Sequence, residues 1–137
     1  IDSRYRTKPD AANTAIMGSS RGGLMALYLA LEYPEVFSSA GCLSTHFVVD
    51  VPWFESLENG PTKSPTARFY FDYGTNEKPE SKYPEFTARM VALVRRWGWK
   101  EGRDFTVFED VGADHSEQAW RARAHRALEF MFTKTPR

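Results

Sequence analysis

Residues 14–23 read Thr-Ala-Ile-Met-Gly-Ser-Ser-Arg-Gly-Gly, a short apolar run that breaks into a turn rich in glycine and serine. The run predicts a strand over Thr14–Gly18. Beyond the turn, Leu24, Leu27, Tyr28 and Leu31 recur at i, i+3, i+4 and i+7, which is one face of a helix. Met25 and Leu29 widen that face and predict a well-buried helix from Arg21 to Tyr33. Pro34 disfavours helix at Tyr33 and closes it. A strand, a tight turn and an amphipathic helix form the opening unit of an α/β fold, with a mostly parallel sheet flanked by helices.

The same alternation continues along the chain, without internal repeat or low-complexity tract. Ser38–Ser44 (SSAGCLS) predicts a second strand, small enough to lie between close helices. His46 to Pro65 holds Pro52, Gly60, Pro61 and Pro65 and predicts a long excursion with little regular structure. Long loops of this kind are often functional. Ala67–Tyr73 (ARFYFDY) predicts a third strand, followed by a turn over Gly74–Glu77. Phe86, Met90, Leu93, Val94 and Trp97 mark one face of a helix from Tyr83 to Trp97. Phe105–Val111 (FTVFEDV) predicts a fourth strand, and Gly112–His115 a turn. A last helix over Ser116–Phe132 presents Trp120, Ala124, Ala127, Leu128 and Met131 inward. Right-handed crossovers between such strands yield a parallel sheet.

Composition narrows the function. The 137 residues suit one domain spanning 1–137, with a 42% hydrophobic and 15% aromatic content that supports a core. Lys and Arg (18) balance Asp and Glu (18), so no net charge draws the chain to nucleic acid or an anionic membrane. Cys42, the one cysteine, excludes an intrachain disulfide framework and any multi-cysteine metal site, and reads as a small buried strand residue. No apolar run approaches the ~20 residues of a membrane helix. The polar start, IDSRYRTKPD, does not read as a signal peptide, and the compartment is left open.

The chemistry gathers after the strands. Gly18-Ser19-Ser20-Arg21-Gly22 fits G-x-S-x-G between a strand and a helix, the setting of a nucleophile elbow. There a serine sits at a helix N-terminus, where the dipole favours a developing anion, and the Arg21 N–H is one oxyanion donor. The bland alternative is a plain glycine-rich turn. An activated serine needs a base, and the base needs an orienting carboxylate. In the elbow architecture their chain order is serine, acid, histidine. Ser20, Glu77 and His115 follow that order and come just after the first, third and fourth strands. Ligands bind at the carboxyl edge of such sheets. Asp72, at the end of the third strand, rivals Glu77 as the acid; its alternative role is to accept backbone hydrogen bonds. Asp114 is awkward as a partner for its neighbour and fixes the turn instead. His125 lies off the apolar face of its helix, in solvent. His46 and Trp53, with Phe54, are candidates to line a substrate pocket; the alternatives are a polar loop residue for His46 and core cover for Trp53 and Phe54. Trp97 and Trp99 read as packing residues, and Trp120 as a brace for the histidine turn.

Four blocks, MGSSRGG, LEYPEVFSSAGCLS, FDYGTNE and GADHSEQAW, together resemble the Putative esterase (esterase D-like) branch of the α/β-hydrolases, and its enterochelin esterase-like members most. The branch includes siderophore, feruloyl and acetylxylan esterases, S-formylglutathione hydrolases and mycolyltransferases. The resemblance implies Ser20 as nucleophile, His115 as base, and Glu77 as acid where many members carry aspartate. It implies a small-molecule ester substrate and no metal or organic cofactor. It also implies that strands come before the nucleophile strand, together with a loop carrying the second oxyanion donor. Only 19 residues precede Ser20. The expectation is therefore a partial or minimal α/β-hydrolase fold resembling the carboxyl-terminal half, with an open edge at its first strand. That edge calls for a homo-oligomer or a missing amino-terminal half. Two functions follow: a serine carboxylic-ester hydrolase, or a weakly active or inactive half that serves as an interaction module.

Overall fold

The structure, a computed structural model, describes residues 2–63 and 67–133. Four strands form one parallel sheet in the order in which they occur: β1 (Ala15–Ser19), β2 (Ser39–Leu43), β3 (Arg68–Gly74) and β4 (Phe105–Asp110). In register, Gly18 lies beside Cys42, Cys42 beside Phe71, and Phe71 beside Val107. Among the described residues four α-helices accompany them: α1 (Arg21–Glu32), α2 (Val51–Asn59), α3 (Tyr83–Arg96) and α4 (Glu117–Phe132).

The strand order fixes where the helices lie. Each crossover steps one strand in the same direction, so crossovers of one hand leave α1, α2 and α3 on one face. Leu27, Phe54, Phe86, Met90 and Val94 there meet Ala40, Cys42, Phe69, Phe71 and Phe105 in the main core. The alternate strand residues Leu43 and Tyr70 point to the other face, where α4 covers them with Ala127 and Met131. The chain is thus an α/β domain with a fully parallel sheet between two helical layers.

Several expectations need correction. The stretch after His46 is not irregular: a short 3₁₀ turn (Phe47–Asp50) leads directly into α2. Pro52 sits in the first turn of that helix, where a missing N–H costs nothing, and the Asp50 carboxylate accepts the Trp53 N–H at 3.0 Å. The proline is thus a start signal. Phe54 is core rather than pocket, edge-on to Phe47 and Phe86. The end of the expected excursion, at Pro65, lies outside the described residues. The buried stripe of α1 is also shifted, to Gly23, Ala26, Leu27 and Ala30, leaving Met25 54% exposed. Close approach explains the shift, since a side chain at Gly23 would meet Thr45 Oγ1 at 2.9 Å. On α4, Trp120, Ala124, Ala127 and Met131 face inward as expected, but Leu128 is exposed and Arg123 is buried among them.

Candidate active site

The carboxyl ends of β1, β3 and β4 bring Ser20, Glu77 and His115 together. Steric constraint makes the first turn. A Cβ on Gly18 would lie 2.4 Å from the backbone of Gly22, so strand and helix can close only over glycine. Gly22 itself faces open space; its backbone, not its missing side chain, is what crowds the turn. Ser20 takes φ 56° and ψ −118°, a costly conformation for a residue with a side chain. Backbone bonds hold it there. Its N–H donates to Leu43 O at 2.8 Å, and its carbonyl accepts from His46 N at 3.1 Å and Leu24 N at 3.2 Å.

A second close approach sets the histidine. A Cβ on Gly74 would lie 2.2 Å from Ala113 O, so the loops after β3 and β4 press together. Thr75 N donates to Asp110 O, Asn76 N to Ala113 O, and Gly112 N to Thr75 Oγ1. Ser116 then caps α4 by accepting Ala119 N at 3.2 Å. Asp114 is exposed and accepts the Ser116 hydroxyl.

The three side chains form one hydrogen-bonded line. Ser20 Oγ lies 2.9 Å from His115 Nε2, and His115 Nδ1 lies 3.1 Å from Glu77 Oε2. A carboxylate acceptor at Nδ1 places the proton of a neutral ring there and leaves Nε2 to accept the serine hydroxyl. The ring is clamped by Trp120, edge-on at 4.7 Å, and by Tyr83, stacked at 4.9 Å.

Glu77 is buried and held from several directions. Its Oε1 accepts Gly74 N at 2.7 Å and the Ser44 hydroxyl at 2.5 Å, with Arg123 Nη2 at 3.4 Å. Ser44 is a hub, since its oxygen also accepts Trp120 Nε1 at 3.0 Å and Arg123 Nη2 at 2.5 Å. Asp72 faces this cluster rather than the imidazole. Its Oδ1 accepts Ser44 N at 3.0 Å, and its Oδ2 lies 3.0 Å from Arg123 Nε in an ion pair too bent for a hydrogen bond. Burial raises the Asp72 carboxyl above its ordinary range, and the Arg123 guanidinium only partly offsets this.

Ser44 and Arg123 were not expected from the sequence. Arg123 does carry a signal. It shares a stripe with Trp120, Ala127 and Met131, at i+3, i+7 and i+11, and a charge within an apolar stripe asks for buried partners. Ser44 had none beyond its place at a strand end.

The remaining candidates lie on the nucleophile side. The Arg21 N–H heads α1, among the donors that have no intrahelical acceptor. The Arg21 side chain, Leu24, Met25, Tyr28 and Trp53 line a groove of about 320 Å³, with the Tyr28 and Trp53 rings 5.9 Å apart. Ser20, Glu77 and His115 line neither this groove nor the hollows of about 410 and 490 Å³ elsewhere; the groove adjoins the site through Arg21. His46 lies outside the groove. Its half-buried ring is 6.3 Å from that of His115 and 5.6 Å from that of Tyr83. Burial, then His115 and Arg21, lower its pKa below 6.5. His125 is exposed, while Trp97, Trp99 and Cys42 are buried. Among the described residues no group of three or more His, Cys, Asp or Glu could hold a metal ion, and no helix is long and apolar enough to cross a membrane.

The fold has counterparts among solved structures. A solved ferulic acid esterase superposes with a TM-score of 0.76 at 15% identity, covering 96% of this chain and 55% of that one. The enterochelin esterase of Shigella flexneri superposes at 0.74 with 20% identity, over 92% of this chain and 32% of that one. The likeness is one of fold, that of α/β-hydrolase esterases. Among curated proteins, "Uncharacterized protein YbbA" of Bacillus subtilis (strain 168) is 22% identical over 98% of this chain. The chain spans 55% of that relative's length. The family model described as Putative esterase matches residues 1–131, and by that match the chain belongs to the Putative esterase family.

Proposed function

We propose that this chain carries the reaction centre of a serine carboxylic-ester hydrolase. The observation behind the reading is the unbroken line from Ser20 Oγ through His115 to Glu77, with contacts of 2.9 and 3.1 Å. Ser20 Oγ attacks the ester carbonyl and passes its proton to His115 Nε2. A carbon–oxygen bond forms, and the carbonyl oxygen takes the negative charge beside the Arg21 N–H. The bond to the alcohol then breaks, and Nε2 returns the proton to the departing oxygen. Water, deprotonated by His115, then attacks the acyl carbon, the bond to Ser20 Oγ breaks, and Nε2 returns the proton to that oxygen. Glu77 orients the ring and stabilises the imidazolium formed in each half-reaction. The groove beside Arg21 suits an apolar or aromatic group of the substrate, with Trp53 as one wall. His46 lies close enough to His115 to contact the substrate's other side.

The test is covalent. A fluorophosphonate probe is expected to label the protein at Ser20, and Ser20→Ala is expected to abolish both labelling and 4-nitrophenyl acetate hydrolysis. Equal hydrolysis by wild type and Ser20→Ala removes Ser20 from the mechanism.

One feature supports a second reading, a docking module. β1 is an edge strand, and among the described residues nothing pairs with its outer side. Such an edge suits another copy of this chain or an amino-terminal half. Light scattering that finds a monomer which also turns over esters would exclude this alternative.

A further inference from the structure

Tyr83 opens α3 and is buried, 2% exposed, yet its hydroxyl reaches the reacting end of the imidazole. It lies 3.2 Å from His115 Nε2, the nitrogen that also faces Ser20 Oγ at 2.9 Å. Nε2 offers one lone pair, in the plane of its ring. The Tyr83 and His115 rings are stacked, with planes 21° apart and centroids at 4.9 Å. A phenol lying over the imidazole approaches Nε2 from its face, so the in-plane lone pair belongs to Ser20. The Tyr83 O–H therefore stands within reach of Nε2 without being needed there.

We propose that Tyr83 is a hydrogen-bond donor to the departing alcohol oxygen, which makes the site suited to esters of ordinary alkyl alcohols. The inference rests on the Ser20–His115–Glu77 reading. When the tetrahedral intermediate collapses, the departing oxygen must lie near Nε2 to collect its proton. A hydroxyl 3.2 Å from the same nitrogen is then next to that oxygen. The carbon–oxygen bond breaks, its electron pair stays on oxygen, and His115 supplies the proton. Tyr83 shares its hydrogen with the growing negative charge and keeps it, so the proton count closes on His115 alone. Burial above all raises the Tyr83 phenol, the Glu77 charge adds to this, and the nearby Ser81 and Ser20 hydroxyls oppose it. The group therefore stays a donor throughout the neutral range.

A donor of this kind matters only when the leaving oxygen is basic. The test compares Tyr83→Phe with wild type on two esters sharing one acyl group, ethyl acetate and 4-nitrophenyl acetate. The substitution keeps the stacked ring and deletes only the hydroxyl. The expected result is a loss of about tenfold in kcat/KM on ethyl acetate and less than twofold on 4-nitrophenyl acetate, whose leaving group needs little help. Equal losses on the two esters, or no loss on ethyl acetate, overturn the inference and leave Tyr83 as packing. Ser20→Ala is measured beside it. If Ser20→Ala keeps the wild-type rate, or wild type is inert toward both esters, the serine-hydrolase reading has failed, and this inference with it.

Discussion

The two sides of the His115 ring are built differently. On the Nδ1 side, Glu77 and Asp72 are buried; Ser44 past the end of β2, Gly74 of β3 and Arg123 of α4 engage them, and Trp120 of α4 bonds Ser44 in turn. On the Nε2 side, Arg21, next to Ser20 in the chain, lines an open groove, Met25 is half exposed, and β1 forms the sheet edge. The acid side is held by buried side chains from several elements. The nucleophile side holds its serine through backbone bonds and leaves the substrate wall largely open. Under the proposed reading, the difference sets a firmly held proton relay beside an exposed surface.

Replacing Glu77 by Gln should break the comparison most. The amide keeps the volume and loses the charge that stabilises the imidazolium. Where the orienting acid of a serine–histidine pair has been made an amide, turnover fell by about 10⁴-fold. A drop of that order is expected for ester hydrolysis by Glu77→Gln, whereas Asp72→Asn should fall far less. Equal losses would return Asp72 to the role of acid.

Removing Arg123 tests whether the acid side is one unit. Its guanidinium lies within 3.5 Å of three carboxylates, those of Asp72, Glu77 and Asp110. Breaking a buried ion pair from one side costs about 3–5 kcal/mol. Arg123→Met should therefore lower unfolding stability by about that much in a urea titration, and Asp72→Asn added to it should recover part of the loss. The pH dependence follows the same cluster. The Asp72 carboxyl is raised in the folded state, so the native protein binds its proton more tightly than the unfolded chain. Stability from this group is full below 3.8 and is lost as pH rises through the raised value. Asp72→Asn should flatten that fall.

The open side should tolerate change. Met25→Gln is expected to shift stability by no more than about 0.5 kcal/mol, the usual effect of a surface substitution away from caps and buried groups. A loss of several kcal/mol would show that Met25 is covered in solution by another surface.

The same asymmetry decided what the sequence could disclose. Strands such as Phe105–Asp110 and the elbow at Gly18–Gly22 rest on local pattern and sterics, and both read correctly from neighbouring residues. Pro52 misled because proline breaks a helix interior yet starts a helix well, and only the Asp50 cap tells the two apart. Met25 misled because hydrophobicity alone points inward, whereas the small residues of α1 are what let it sit close to the sheet. Serine, glutamate and histidine were legible as types in a known order. Ser44 and Arg123 stand 79 residues apart and meet only after the sheet has formed, so no local pattern joins them.

His46 offers the smallest effect and the most direct view of the boundary between the two sides. Its backbone N–H holds the Ser20 carbonyl, while its ring sits beside the stacked pair of Tyr83 and His115, 5.6 and 6.3 Å from their centroids. Its pKa is lowered by burial first, then by the His115 and Arg21 charges, with Glu77 opposing. A lowered histidine stays neutral in the folded protein where the unfolded chain would already bind a proton. Stability from this group is therefore full above 6.5 and declines as pH falls through the folded value. An NMR titration should find the His46 midpoint below 6.5, and Arg21→Gln should move it part of the way back. A midpoint at or above 6.5 would mean that the acid-side charge outweighs burial at this ring. The field of the carboxylate cluster would then reach past His115, and the two sides would be electrostatically one.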